Sequence, residues 1–322
     1  MGDEGRIPLI ETINLKKYFE AHGLSRFGKQ TVRAVDGVNL KIQKGETFGL
    51  VGESGCGKST LGRTILQMYE ATDGQVLYQG TDIVRLRKKE LAAYRRKMQI
   101  IFQDPYASLN PFMTVEELVG EPLAISRKER RNRVSQLLET VGLRAEDLDK
   151  FSYEFSGGQR QRIGIARALS VSPEFILCDE PISALDVSIQ AQVVNMLQDL
   201  QESRGLTYLF IAHDLAVVRH ISQHIGVMYL GRIVETAGSE ELYCHPAHPY
   251  TRILLASVPV PDPKAASRML KLDVRGELPS AINSLEGCAF APRCPYADEN
   301  CRIRRPELRK VAADHWTACW KI

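Results

Sequence analysis

Short apolar runs separated by turn residues characterise the first hundred residues of the chain. Residues 31–51 alternate between such runs and turn signals, and Thr47–Val51 has the composition of a buried strand. A helix is predicted to begin at Lys58 and to run toward Met68. Two further strands are predicted at Gln75–Tyr78 and Met98–Phe102.

The pattern becomes helical from Pro105 to about Ser170 and then returns to strands alternating with a helix. Helical periodicity is found at Val115–Val119, Lys128–Val141 and Gly158–Leu169. Strands are predicted at Phe175–Cys178, Tyr208–Ala212 and Ile225–Leu230, with a helix at Ile189–Ser203. This order predicts an α/β core that carries an inserted helical subdomain over about residues 105–170.

The composition of the sequence changes beyond Leu242, where prolines break up regular structure. They stand at Pro246, Pro249, Pro259, Pro261 and Pro263. We therefore place a domain boundary near residue 245, which gives a core of residues 1–245 and a C-terminal extension of residues 246–322.

Composition and charge narrow the class of protein. The 322 residues are 44% hydrophobic and 25% charged, as in an ordinary globular chain. A net charge of only +3 argues against nucleic acid as a partner. The basic residues of 127–133 alternate with Glu129 on a predicted helix, which indicates a solvated face.

Nothing in the sequence has the length and apolar character of a membrane span or a secretory signal. No run of 18 apolar residues occurs, and Met1–Ile10 lacks a basic region followed by an apolar core. We therefore expect a cytosolic protein, whose seven cysteines are thiols or metal ligands rather than disulfides.

A glycine-rich loop lies between the predicted strand Thr47–Val51 and the helix at Lys58. It fits G-x-x-x-x-G-K-[ST], the pattern that wraps backbone N–H groups around phosphates. Lys58 is expected to reach the β- and γ-phosphates, and Ser59 to bind Mg²⁺. The nucleotide-binding residues of this loop are Gly52, Glu53, Ser54, Gly55, Cys56, Gly57, Lys58, Ser59 and Thr60.

Two acids end the apolar run Phe175–Cys178. A buried strand brings Asp179 to the edge of its sheet, where it can hold Mg²⁺, and places Glu180 to activate a water molecule. Alone, an apolar run ending in Asp-Glu is weak evidence, because many strands end in polar residues. With the phosphate loop it indicates nucleotide hydrolysis.

A second anion-binding helix start is predicted at Ser156, Gly157, Gly158 and Gln159. One nucleotide rarely needs two such sites in one chain. Two copies facing each other, each touching the same γ-phosphate, are the natural arrangement. A capped helix with no ligand is the alternative for this motif taken alone.

Together, these motifs resemble those of the ABC transporter ATPase family. Ser156–Gln159 is similar to the family's signature motif, and Ser183–Asp186 to its dimer-contacting aspartate loop. Gln103 resembles the glutamine that senses the γ-phosphate, and His213 the switch histidine. Tyr18 resembles the aromatic residue that stacks on adenine, although a core aromatic is the alternative.

The resemblance implies a P-loop ABC ATPase with ATP and Mg²⁺ as ligands. It implies that Glu180, His213 and Gln103 are catalytic and that Ser59, Gln103 and Asp179 hold Mg²⁺. All these positions are intact; one departure is Phe155, where many members have Leu before the signature serine.

Several segments are similar to the oligopeptide/dipeptide importer branch and to its F-type ATPase. Gln159 fits the F-type, whereas Arg is usual where Phe112 stands. The segments are Phe102–Pro111, Glu121–Leu123, Phe155–Ala168, His248–Thr251, Leu254-Leu255 and Val258-Pro259.

Membership of this branch implies a set of partners and a location. The partners are a D-type ATPase or a second copy, two membrane permeases and an external binding protein. The chain would then lie at the cytoplasmic face of the membrane, bound peripherally. The alternatives are the same role in an importer of nickel or another metal chelate, a soluble ABC ATPase without a transport role, and a nucleotide-binding scaffold.

The extension carries four cysteines, which we call the cysteine set: Cys288, Cys294, Cys301 and Cys319. Four thiolates suit a [4Fe–4S] cluster or a structural zinc, and the long spacings favour the cluster. Some peptide-importer ATPases carry such a cluster on a similar set, which points the same way. Unligated cysteines are the alternative, and His315 could substitute as a ligand.

Overall fold

The computed structural model describes residues 7–21, 30–257 and 286–322. Val258-Pro259, Pro261, Pro263 and most of Met1–Ile10 lie outside the described residues. The strands are β1 (Ile10–Ala21), β2 (Gln30–Ile42), β3 (Thr47–Val51), β4 (Asp73–Tyr78), β5 (Thr81–Asp82), β6 (Met98–Ile101), β7 (Phe175–Asp179), β8 (Thr207–Ile211), β9 (His224–Tyr229), β10 (Arg232–Gly238), β11 (Arg309–Ala312) and β12 (His315–Thr317). The helices are α1 (Lys58–Ile65), α2 (Lys88–Lys97), α3 (Pro105–Ser108), α4 (Val115–Gly120), α5 (Arg127–Thr140), α6 (Gly157–Leu169), α7 (Val187–Arg204), α8 (Leu215–Ile221), α9 (Ser239–Cys244), α10 (Pro249–Ala256) and α11 (Glu299–Ile303).

The first of two compact units draws on the described parts of residues 1–41, 48–84 and 213–322. In it, β3 pairs in parallel with β9, and β9 pairs antiparallel with β10. Strands β2, β1, β4 and β5 lie side by side in that order in another sheet. Leu50 on β3 and Ile225 on β9 are fully buried, so the strand that leads into the glycine-rich loop lies in the core.

The C-terminal extension adds two strands to this unit. Strand β12 pairs antiparallel with β10, and β11 pairs antiparallel with β12. His315 on β12 places its Nε2 atom 2.8 Å from the Glu235 carboxylate on β10 and its Nδ1 atom 3.4 Å from that of Glu241. Because Glu235 is fully buried, this partner and two backbone N–H groups offset the cost of burying its carboxylate.

The second compact unit comprises residues 42–47 and 85–212. Strands β6, β7 and β8 pair in parallel, with Ile101 opposite Cys178 and Cys178 opposite Phe210. All residues of β7 and β8 are buried, as expected of parallel strands rich in apolar side chains. The acids that follow Cys178 therefore stand at the carboxyl end of a buried strand.

Capping boxes with a Ser or Thr N-cap begin three helices of the second unit. Thr114, Ser126 and Ser156 each accept a hydrogen bond from the backbone N–H three residues on, at the starts of α4, α5 and α6. On α5, Arg127 and Lys128 are exposed, as predicted for a solvated face, and Arg131 donates to Glu116 at 3.0 Å and to Asp149 at 2.6 Å. No helix in the described part of the chain is both long and apolar enough to cross a membrane.

The predicted elements agree with the structure where an apolar run is local and continuous. Thr47–Val51 is β3 with unchanged bounds, and the helix at Lys58 is α1. The predicted helical stretch 105–170 contains α3 to α6, but the compact unit that holds them also includes the strands β6 to β8. Strands β10 to β12 were not predicted; β11 is exposed along its length, and β12 pairs with β10, which is distant in the sequence.

Candidate functional site

The glycine-rich loop connects β3 to α1 in the first unit. Gly57 is the N-cap of α1 and has φ 109°, a conformation that a side chain disfavours. A Cβ atom there would lie 2.0 Å from the carbonyl oxygen of Ala34. Because Gly57 has no side chain to accept from the first N–H groups of α1, those groups suit an external anion.

Lys58 is folded back onto this loop. Its side chain is buried, and Nζ donates to the carbonyl oxygen of Gly52 at 2.8 Å and to that of Glu53 at 3.2 Å. These carbonyl groups satisfy the buried ammonium and hold it beside the start of α1. Burial raises the pKa of the neighbouring Cys56 thiol, which therefore stays protonated.

Glu53, inside the loop, contacts two residues to which the sequence analysis assigned no role in the site. Its backbone N–H donates to the Tyr250 hydroxyl at 2.8 Å, and its carboxylate accepts from Arg293 at 2.9 and 3.0 Å. Tyr250 lies in the segment His248–Thr251, which is similar to the oligopeptide/dipeptide importer branch but was given no role in nucleotide binding. Arg293 directly precedes Cys294 of the cysteine set.

Tyr18, the predicted adenine-stacking residue, is half-buried rather than part of the core. Its hydroxyl donates to Asp36 at 2.6 Å, and Arg33 lies over its ring at 5.4 Å. Burial and the Asp36 carboxylate raise the pKa of Tyr18 to about 12. Burial opposes ionisation of Asp36, but the Tyr18 hydroxyl and Arg232 lower the pKa of Asp36 below its usual value.

The acidic pair of the second unit ends β7. Asp179 is fully buried and Glu180 nearly so. Glu180 has φ 51°, in the left-handed region, and its backbone N–H donates to Ile211 at 3.0 Å. Surrounding contacts therefore hold Glu180 in an otherwise unfavourable backbone conformation.

Gln103 and Glu180 are in direct contact within the second unit. Gln103 follows β6, and its Nε2 atom donates to the Glu180 carboxylate at 2.6 Å. The loop after Glu180 is fixed as well, because Gln190 on α7 donates to the carbonyl oxygens of Ile182 and Leu185. Thus the parallel pairing of β6 with β7 brings two of the predicted catalytic residues together.

The predicted signature segment begins α6. Ser156 Oγ accepts from the Gln159 N–H at 3.4 Å, and Gln159 Oε1 accepts from the Ser156 N–H at 3.0 Å. Gly158 lies against α7, where a Cβ atom would come within 2.6 Å of Cγ2 of Ile189. Ser156 and Gln159 are exposed, so this helix start is both self-capped and accessible.

His213 lies in the bend between the end of β8 and the start of α8. Its side chain is exposed. The next residue, Asp214, caps α8 by accepting from the N–H groups of Ala216 and Val217 at 2.8 and 3.3 Å. The capped helix therefore fixes the backbone that carries this histidine.

The cysteine set lines one small cavity in the first unit. Burial raises the pKa of Cys288 to about 11 and also raises those of Cys294 and Cys319. Within residues 7–21, 30–257 and 286–322, no group of three or more His, Cys, Asp or Glu side chains is arranged to hold a metal ion. The expected [4Fe–4S] cluster therefore gains no support from this arrangement.

His315 was expected as a possible substitute ligand for the cysteine set, and this expectation is wrong. Both of its ring nitrogens face carboxylates, those of Glu235 and Glu241. Its role is to pair a buried carboxylate on β10, because a buried acid without a partner would be costly.

The fold and the local geometry of the two units define a P-loop ABC ATPase cassette of mixed α/β class. The profile of the ABC transporter family matches residues 35–183. A second profile, described as the C-terminal region of oligopeptide/dipeptide transporters, matches residues 234–301.

Whole-length relatives share about half of their residues with this chain. YkfD of Bacillus subtilis (strain 168) is 54% identical, over 98% of this chain and 95% of its own. The oligopeptide transport ATP-binding protein AppF of the same organism is 50% identical, over 97% of this chain and 96% of its own. The corresponding OppF of Escherichia coli (strain K12) is 50% identical, over 99% and 98%. The chain therefore belongs to the ABC transporter ATP-binding proteins, in the oligopeptide/dipeptide branch.

Solved structures agree at the level of the cassette. A dimeric ATP-binding cassette, MJ0796, in a post-hydrolysis state bound to ADP and Pi, is 31% identical with a TM-score of 0.64, over 71% of this chain and 98% of its own. The protein cbiO1 of Clostridium perfringens, part of the transporter complex cbiONQ, is 25% identical with a TM-score of 0.65, over 74% and 92%.

Proposed function

We propose that the chain is the ATP-hydrolysing subunit that powers import of oligopeptides or dipeptides. One contact carries the catalytic part of this proposal, the hydrogen bond of 2.6 Å from Gln103 to Glu180 at the end of β7. A protein that only binds nucleotide has no need of a nearly buried carboxylate oriented by an amide. The peptide cargo is supported by the printed functions of AppF and OppF.

Binding of ATP begins at the glycine-rich loop. The N–H groups of residues 52–60 and the start of α1 surround the phosphates, and Lys58 exchanges the carbonyl oxygens of Gly52 and Glu53 for phosphate oxygens. Tyr18 stacks on adenine, with its hydroxyl held by Asp36.

Three oxygen donors are assigned to Mg²⁺: the hydroxyl of Ser59, the amide of Gln103 and the carboxylate of Asp179. Their chemistry fits, because Mg²⁺ prefers oxygen ligands and Gln103 already commits its nitrogen to Glu180. When bound, Mg²⁺ neutralises charge on the β- and γ-phosphate oxygens.

Hydrolysis is assigned to Glu180 as the general base. Gln103 holds the carboxylate in one orientation, so that it can take a proton from the attacking water. His213 contacts the γ-phosphate and reports its presence. Closure of the site excludes water other than the nucleophile.

A second subunit completes each site through its own Ser156, Gly157, Gly158 and Gln159. The exposed start of α6 is accessible to a nucleotide held by another chain. The partner is a D-type ATPase or a second copy, and the dimeric form of the related cassette MJ0796 supports such pairing. Ser183–Asp186 lies at the interface between the two.

The remaining partners are two transmembrane permeases and an external binding protein. In this assembly the chain lies at the cytoplasmic face of the membrane, bound peripherally. We assign α3 to α6 to a helical subdomain over about residues 105–170 that contacts the permeases, and residues 246–322 to an extension of the core ending at residue 245.

We also propose that the thiolates of the cysteine set bind a [4Fe–4S] cluster. The four residues line one cavity, and the backbone N–H of Lys321 donates to the sulfur of Cys319 at 3.4 Å. Such donors stabilise thiolates more than thiols. Iron, sulfide and zinc contents after anaerobic purification test this; a protein without any of the three would contradict it.

The variant Glu180→Gln tests the proposed function. We expect ATP to bind but turnover of the purified full chain to fall by about a hundredfold or more, because the general base is lost. Glu202→Gln, an exposed glutamate on α7, is the matched control and should turn over normally. Near-normal turnover of Glu180→Gln would refute the assignment of the base.

The cargo needs a separate measurement in cells. Cells that carry Glu180→Gln in place of the wild-type chain should lose uptake of a labelled tripeptide and keep uptake of nickel. Loss of nickel uptake alone would instead favour the metal-chelate alternative.

A further inference from the structure

The C-terminal extension reaches the phosphate loop through Arg293. The guanidinium is buried, and its Nη1 atom donates to both oxygens of the Glu53 carboxylate, at 3.0 and 2.9 Å. The two residues are 240 positions apart in the sequence. The loop that surrounds phosphates is therefore in direct contact with the segment that carries the cysteine set.

Besides its ion pair with Arg293, Glu53 makes two backbone contacts that hold the glycine-rich loop in place. Tyr250, fully buried, accepts from the N–H of Glu53 at 2.8 Å and packs on Phe290 at 5.5 Å between ring centroids. The carbonyl oxygen of Glu53 in turn accepts from Nζ of Lys58 at 3.2 Å. Displacement of Glu53 would therefore move an acceptor of the lysine that is assigned to the phosphates.

Arg293 is itself held by the turn that carries the cysteines. Its backbone N–H and that of Cys294 both donate to the carbonyl oxygen of Phe290 at 3.0 Å, and the N–H of Ala291 donates to that of Cys288 at 3.0 Å. This compact turn fixes the backbone that carries Arg293, and the planar guanidinium suits a carboxylate partner.

A carboxylate in a phosphate-binding loop has an electrostatic cost. Triphosphate carries several negative charges, and Glu53 alone would repel them at short range. A paired arginine removes most of that repulsion, and the partial burial of both side chains limits screening by salt.

We propose that Arg293 is a positioning residue of the nucleotide site, which neutralises Glu53 and holds the phosphate loop in its binding conformation. The proposal rests on the proposed nucleotide binding by this loop. It gives the extension a part in nucleotide affinity, independent of any ligand of its cysteines.

Equilibrium binding of a non-hydrolysable ATP analogue with Mg²⁺ to the full chain tests the proposal. Arg293→Ala should raise the Kd about tenfold, because it leaves an unpaired carboxylate beside the phosphates. The double variant Arg293→Ala/Glu53→Gln should return to within about threefold of wild type, since the repulsion is gone. Arg293→Lys, which keeps the charge, should rescue in part.

Two further variants serve as a matched control and as a test that does not require Arg293→Ala to fold. Arg309→Ala removes an arginine of the same segment that contacts the carbonyl oxygen of Cys319 and not Glu53, and should bind like wild type. Glu53→Gln alone should lower the Kd, because it removes the carboxylate, leaves the charge of Arg293 unpaired and keeps the backbone of the loop; this result does not depend on whether Arg293→Ala folds. A merely structural arginine would instead give equal losses in Arg293→Ala and in the double variant.

The outcomes separate this inference from the proposed function. A wild-type chain that does not bind the analogue would refute nucleotide binding itself. If the wild type binds and Lys58→Ala does not, but Arg293→Ala matches the wild type, only the role of Arg293 is refuted. A tenfold loss in Glu53→Gln would refute it as well.

Discussion

The starts of α1 and α6 are two glycine-containing helix N-termini that satisfy their backbone N–H groups in opposite ways. At α1 the N-cap is Gly57, which has no side chain, and the nearby Lys58 is buried. At α6 the N-cap is Ser156, which exchanges hydrogen bonds with Gln159, and both residues are exposed.

The difference shows what each helix start is suited to do. A start without a side-chain cap loses stability unless an anion or water satisfies its N–H groups, so the start of α1 is specialised for a ligand. A start with a capping box is stable without a ligand, so that of α6 can be exposed until another molecule reaches it. Four variants test this contrast, in order of decreasing expected effect.

Lys58→Ala should give the largest effect, a loss of ATP affinity of about a hundredfold or more. The reason is that several charge-assisted hydrogen bonds to phosphate are lost together. Isothermal titration of the purified chain with ATP measures it. The control is Lys44→Ala, which replaces an exposed lysine paired with Glu174 and should bind ATP normally. Equal ATP binding by both variants would refute the assignment of the start of α1 to the phosphates.

Gly57→Ala should lower the free energy of unfolding by at least about 2 kcal/mol. Its φ of 109° is unfavourable for alanine, and the added Cβ would meet the backbone oxygen of Ala34 at 2.0 Å. Because the obstacle is backbone, no side-chain truncation should rescue it. Denaturant unfolding gives the value, and wild-type stability would show that the loop relaxes freely.

Gly158→Ala at α6 should cost about 1–3 kcal/mol through overpacking. Here the obstacle is a side chain, since the added Cβ would lie 2.6 Å from Cγ2 of Ile189. The double variant Gly158→Ala/Ile189→Ala should therefore recover part of the loss, unlike any pairing with Gly57→Ala. A double variant with fully additive losses in denaturant unfolding would contradict this packing role.

Ser156→Ala should cost about 1 kcal/mol of stability through loss of the cap. Ser126→Ala, which removes the equivalent capping box of α5, should cost about the same. Only Ser156→Ala should also reduce ATP turnover, while affinity of the single chain for ATP stays unchanged. Equal ATP turnover by Ser156→Ala and Ser126→Ala would show that Ser156 only caps α6 and does not contribute to the nucleotide site.

The parts of the fold that could be predicted from the sequence are those specified locally. The apolar run Thr47–Val51 and the loop after it determine β3 and α1, because burial and turn chemistry act over a few residues. The same holds for β7 and the acids that end it. The motif positions were therefore placed correctly on strands and helices.

The supporting contacts of the site could not be predicted in this way. Asp36 meets Tyr18 across the neighbouring strands β1 and β2, and Arg293 meets Glu53 although 240 positions separate them. No periodicity distinguishes these two residues from other charged residues of the chain. The pairing of β12 with β10 could not be predicted either, because the two strands are distant in the sequence. In addition, β12 is short and lies in a proline-interrupted region.

The pairing of Glu235 with His315 has a consequence for the order in which the chain is made. The two residues are 80 positions apart, so at about 5–20 residues per second a ribosome needs about 4–16 seconds to add the second after the first. During that interval β10 has been synthesised but β12 has not, and the carboxylate of Glu235 must stay hydrated or find a temporary partner. The outer edge of the first unit is therefore closed late in synthesis, after the glycine-rich loop and the acidic pair have both left the ribosome.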